Sequence, residues 1–129
     1  MRTTEVASND WTAFFDSFSR RHHGWLVKLS VLDPRLGAQV EAIELPLQGI
    51  VADPRGLGVA ILLGARPDDL EHSVRHPRRV WVEFSGEGDG AEAAIEIESA
   101  DGTKAILEFR CVALPETVDG LAPTLAEVQ

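Results

Sequence analysis

The chain has 129 residues, 44% of them hydrophobic and 26% charged, with one cysteine and a formal charge of −9. That length suits one domain able to bury roughly two thirds of its unfolded surface, and the composition excludes wholesale disorder and fibrous repeats. Cys111 alone excludes an internal disulfide and cannot by itself supply a structural zinc site.

Residues 1–84 hold 10 Lys/Arg against 11 Asp/Glu, whereas residues 85–129 hold 2 against 10. Such an acidic final third repels a phosphate backbone at long range, so charge argues against nonspecific nucleic-acid binding. Met1 to Asp10 lacks the apolar core of a signal peptide, and the longest apolar stretch, Val59 to Leu63, is too short to span a bilayer. The expected location is the cytoplasm, without membrane association.

Trp11, Phe14, Phe15 and Phe18 fall at i, i+3, i+4 and i+7, which predicts an amphipathic helix over about 9–23. Ser8, Asn9 and Asp10 offer N-cap oxygens, Arg20 and Arg21 complement the dipole of the last turn, and Gly24 suits the left-handed position beyond it. From Trp25 to Leu32 the period is two, a strand. Asp33, Pro34 and Gly37 make a turn into a long strand, Gln39 to Ala52, with a bend or bulge between Ala42 and Pro46. The near-continuous apolar run Leu57 to Leu63 predicts a central strand covered on both faces. In Arg66 to Arg79, Pro67 suits a first helical position, Leu70 and Val74 share a face and Pro77 ends a helix, so a short helix or ordered loop is expected.

Val80, Val82 and Phe84 then alternate with Trp81 and Glu83, and Ala91 to Glu98 follows a Gly-rich acidic loop. For the last hairpin, a loop of Ala100, Asp101 and left-handed Gly102 sets Ile97 opposite Ala105, Ile95 opposite Leu107 and Glu98 opposite Lys104, and continues to Ala93 with Phe109 and Glu92 with Arg110. A two-residue Asp-Gly turn would mix the polar and apolar faces. The expected fold is mainly β, an α+β arrangement. It is a small SH3-like or Sm-like barrel, or a strongly bent antiparallel sheet, of about six strands with an N-terminal helix over an open end or edge. The globular part is expected over 1–114, with a loosely packed tail over 115–129.

The run Trp11-Thr-Ala-Phe-Phe-Asp-Ser-Phe-Ser-Arg, His22 or His23 with Gly24-Trp-Leu-Val, Gly37-Ala-Gln-Val-Glu-Ala, Leu45-Pro-Leu-Gln-Gly-Ile, Pro67-Asp-Asp-Leu-Glu-His and Leu114-Pro-Glu-Thr-Val-Asp-Gly together resemble an uncharacterised bacterial family, domain of unknown function 5335. The resemblance spans most of the chain and implies one compact domain, but carries no catalytic residue, substrate or cofactor. Cys111 and the pair His22-His23 lie outside its pattern.

Three candidate sites stand out. His72 and His76, four apart, would share a helical face and could hold a metal ion with Asp68, Asp69 or Glu71, or with His22 or His23. Arg20 and Arg21 at the helix end, with Arg75, Arg78 and Arg79, could merge into one patch for a small anionic ligand, a nucleic acid or an acidic partner, with Trp81 beside it. Leu26, Leu32, Leu62, Trp81 and Ile106 form an apolar set on the less obviously core side of their strands, which the helix, a second copy or a protein partner must cover. There is no tyrosine and no Ser, His and Asp grouping with a recognisable local motif. The sequence therefore reads as a non-catalytic binding or assembly module needing no cofactor. The alternatives are a small-ligand or nucleic-acid binder through the arginines, and a metal-binding protein or enzyme using the histidines.

Overall fold

The computed structural model describes residues 2–66, 70–85 and 91–109. Its strands are β1 (Arg2–Val6), β2 (Leu26–Asp33), β3 (Gly37–Ala52), β4 (Gly58–Leu63), β5 (Leu70–Arg75), β6 (Pro77–Phe84), β7 (Glu92–Ser99) and β8 (Lys104–Phe109). They form one antiparallel sheet in the order β1-β6-β7-β8-β2-β3-β4-β5. The chain is mainly β, as expected, but among the described residues the sheet has eight strands rather than about six and is not closed into a barrel.

The aromatic spacing forms α1 (Trp11–Arg21), preceded by a 3-10 turn at Ser8–Asp10. Neither segment is capped by a side chain, so the oxygens of Ser8, Asn9 and Asp10 do not play the expected role. At the other end Gly24 takes φ 87°, the left-handed conformation that lets the chain leave the helix and enter β2. Trp11, Phe15 and Phe18 are buried with Val27, Leu29, Leu47, Ile50, Val80, Ile95 and Leu107 in one core. Phe15 is fully buried, a placement that stabilises by about 2–3 kcal/mol relative to exposure.

α1 packs chiefly against β3 for a backbone reason. As far as Pro46, β3 pairs with β2; from Leu47 it pairs with β4, and the register shifts between Leu47 and Gly49. Glu44, at φ 57°, sits in an earlier irregularity, where the pairing with β2 shifts between Ala42 and Leu45. Leaving β2 frees one edge of the second half of β3. Ser19 of α1 occupies it, its Oγ accepting the Ile50 N–H at 2.8 Å while its hydroxyl donates to the Phe15 carbonyl at 2.6 Å. The helix thus covers an edge and supplies the hydrogen bond that the departing strand has withdrawn.

β1 and β5 are the strands the sequence did not announce. β1 is exposed over four of its five residues and, among the described residues, pairs only with β6. β5 replaces the expected helix or loop: Leu70, His72 and Val74 face inward, because a spacing of four is even and so satisfies a strand as well as a helix. Pro77 opens β6 rather than ending a helix. β4 buries Val59, Ile61 and Leu63 and leaves Ala60 and Leu62 half-buried. The last hairpin has the register read from its pattern through Ile97–Ala105, Ile95–Leu107 and Glu98–Lys104, with Gly102 at φ 92°. Arg110, Cys111 and the tail over 115–129 lie outside the described residues.

Only His76 separates β5 from β6, although the two strands sit near opposite ends of the strand order. The sheet must therefore curl until those ends meet. At the corner the His76 N–H donates to the Leu57 carbonyl at 3.1 Å, and the Ala100 N–H donates to the His76 carbonyl at 2.9 Å. β6 then leaves to pair with β7 and β1, so among the described residues β5 has no ladder partner beyond β4 and a seam stays open. No helix among the described residues is long and apolar enough to cross a membrane.

Candidate functional site

His72 faces the inner side of the seam, and burial holds its imidazole below the ordinary value of 6.5 against the pull of the Glu41 carboxylate. His76 is exposed at the corner with φ 53°. Among the described residues no three His, Cys, Asp or Glu side chains gather where one ion could be held; Asp68 and Asp69 lie outside them. A hollow of about 210 Å³ opens beside His72 and is also lined by Arg75, Ser99, Asp101 and Thr103. Ser99 donates its hydroxyl to Asp101 Oδ1 at 2.9 Å, and the same oxygen accepts the Thr103 N–H at 2.9 Å. The hydroxyl thus serves the turn. No hydrogen bond among the described residues joins it to an imidazole that could activate it.

The arginines do not converge. Arg20 pairs with Asp16 on α1, and Arg21 pairs with Glu92 at the start of β7. Arg79 stands opposite Glu98 near the end of β7, six residues on and so about 20 Å away along the strand. Arg75 and Arg78 are exposed on either side of the His76 corner, at that second end. Two separate groups result, and the first is neutralised by carboxylates.

His22 is the titratable group whose surroundings the sequence concealed. It is buried, with ring centroids 4.3 Å from Phe18 and 4.7 Å from both Trp25 and Phe109. Its Nδ1 lies 2.9 Å from the Phe18 carbonyl, to which it donates, and Nε2 is 3.4 Å from Glu92. Burial lowers its pKa below 6.5, although the Phe18 carbonyl and the Glu92 carboxylate oppose the shift. Rather than joining His72 and His76 as a ligand, the ring is packed into the aromatic end of the core. His23 beside it is exposed.

The remaining candidate, Trp81, sits half-buried on the outer face of β6. Its cross-strand neighbours are Glu5 on β1 and Glu96 on β7. Around it a shallow hollow of about 250 Å³ is lined by Thr3, Trp81, Glu83, Ala94, Glu96 and Ile106. The apolar floor follows from register: Glu96 opposes Ile106, and Glu83 opposes Ala94, so small and apolar side chains alternate with carboxylates across three strands. α1 cannot cover this floor, because its buried aromatic residues join Val80, Ile95 and Ile97 on the inner face. Leu26, 37% exposed, and half-buried Leu32 lie further along the sheet on β2. The alternation of Trp81 with Val80 and Val82 marked the tryptophan and Glu83 in the sequence; Glu5 could be found only through the pairing of β1.

Residues 2–117 match the model of a family of unknown function, DUF5335. The chain belongs to that family. An uncharacterised protein from Aquifex aeolicus (strain VF5) is 32% identical over 117 residues, covering 90% of this chain and 100% of its own length. No solved structure matches. Membership of DUF5335, a family of unknown function, brings no substrate or partner with it.

Proposed function

We propose that this protein is a non-catalytic docking module that receives a protein partner on the outer face of its sheet, centred on Trp81. The observation that carries the reading is the hollow floored by half-buried Trp81 and Ile106 with buried Ala94 between them, in the middle of a sheet face over which no element of the described residues lies. A half-buried tryptophan in a concave, partly apolar surface is the residue type that anchors interfaces, because it contributes a large rigid area at little cost in side-chain entropy. An anion-binding patch has less support, since its arginines form two groups with carboxylates between them. Self-association has one observation in its favour: Val40 and Ile43 are 53% and 58% exposed on the half of β3 that, among the described residues, pairs only with β2.

Photo-cross-linking in the native cell tests the reading. A cross-linking amino acid at Thr3, on the rim of the hollow, is expected to give a discrete protein adduct that Trp81→Ala abolishes and Arg55→Ala leaves intact. No adduct at Thr3, or one indifferent to Trp81, would remove the docking face. An adduct of the chain with itself, accompanied by a dimer in sedimentation, would transfer the reading to self-association.

A further inference from the structure

Resting on that docking reading, we propose that the partner presents a cationic segment, with an arginine side chain laid over the Trp81 indole and its guanidinium met by the carboxylates of Glu5 and Glu83. The charge on this face carries the inference. By register, the outer face of β1, β6, β7, β8 and β2 holds Glu5, Glu83, Glu96, Glu98 and Glu108 against Arg79, Lys104 and Lys28. Each cation already has an acidic neighbour: Arg79 opposes Glu98, Lys104 lies 3.7 Å from Glu96, and Lys28 opposes Glu108. Glu5 and Glu83 are left over, and neither makes an ion pair among the described residues.

Both of those carboxylates lie beside the indole, whose third acidic neighbour, Glu96, is the one that Lys104 approaches. Glu5 is directly opposite Trp81, and Glu83 is the next outward residue of β6, opposite Thr3. An aromatic face with flanking carboxylates attracts a cation twice over, through the ring quadrupole and through charge, and a planar guanidinium can use both at once. The same surplus argues against the other occupants. A second copy would set one acidic face against another on chains of charge −9, and a nucleic acid would bring phosphates to unpaired carboxylates.

The test follows the Trp81 indole N–H resonance in the full-length protein, identified by its loss in Trp81→Phe. The probes are an acetylated, amidated Gly-Arg-Gly-Arg-Gly peptide and its neutral citrulline counterpart. The arginine peptide is expected to shift the resonance saturably, more weakly at higher salt. Binding should fall about tenfold or more with citrulline and in the Glu5→Gln, Glu83→Gln double variant, while the Trp11 indole signal stays in place as a control for folding. Equal shifts with both peptides, or none with either, overturn the cationic partner. So does a shift produced by raising the protein concentration alone or by a short oligothymidylate. If the Trp81-dependent cross-link persists in those cases, the docking face stands with a partner of other chemistry; if the cross-link also fails, both readings fall.

Discussion

Ser19 and His22 are polar residues whose part in the fold depends on single hydrogen bonds rather than on exposure. Ser19 supplies the acceptor for Ile50 N–H at the edge that β3 exposes when it leaves β2. Ser19→Ala leaves that donor without its partner beneath the helix, and we expect a loss of about 1–3 kcal/mol in urea denaturation. His22 adds a pH dependence. Its folded pKa lies below 6.5 because burial penalises the charged ring. As pH falls from 6.5 toward the folded value, the unfolded chain binds more protons than the native one and stability declines; above 6.5 the group contributes no slope. His72, lowered for the same reason, acts in the same direction. Asp53 and Asp101 are depressed from 3.8 and lie outside this window. Urea midpoints should therefore drop between pH 7 and 5, and each of His22→Gln and His72→Gln should remove part of that drop. Midpoints that rise on acidification would contradict the assignment.

Among the elements, β5 and its corner take their form from tertiary pairing rather than from local periodicity. Leu70 and Val74 are four apart, a spacing that serves one face of a helix and one face of a strand, and only the pairing of β5 with β4 decides between them. The corner at His76 has a residue cost that can be measured. A left-handed conformation is unfavourable for residues bearing a Cβ and worst for β-branched ones. His76→Val should lose about 1–2 kcal/mol, whereas His76→Gly should be tolerated with little change in thermal midpoint. If the valine variant is as stable as the parent, the corner is not held in that conformation. β1 illustrates the opposite case: five mostly exposed residues carry no periodic signal, yet their pairing with β6 brings Glu5 beside Trp81.

At the scale of the whole molecule, charge and curvature act together. The sheet curls because one residue joins β5 to β6, and the curl gives it an inner face filled by α1 and an outer face over which no element of the described residues lies. On the outer face the acidic surplus favours an unlike partner over a like one. The protein is therefore expected to sediment at high micromolar concentration as a 14.0 kDa monomer. Lowering the salt should not promote association between copies, because screening is what would permit it. A dimer that strengthens at low salt would contradict this distribution of charge.

The order of residues was by itself enough to determine the helix, the hairpin of β7 and β8 with its register, the bend in β3, the acidity of the final third and the family. Each of these depends on local periodicity, turn chemistry or composition, and one-residue slips in the hairpin would have exchanged buried for solvated faces. Tertiary structure alone decided the number of strands, the open seam, the burial of His22, the separation of the two arginine groups and the glutamates around Trp81. Those depend on which strands become neighbours across long stretches of chain. A carboxylate placed beside an indole by pairing between residues 5 and 81 leaves no trace in either segment alone.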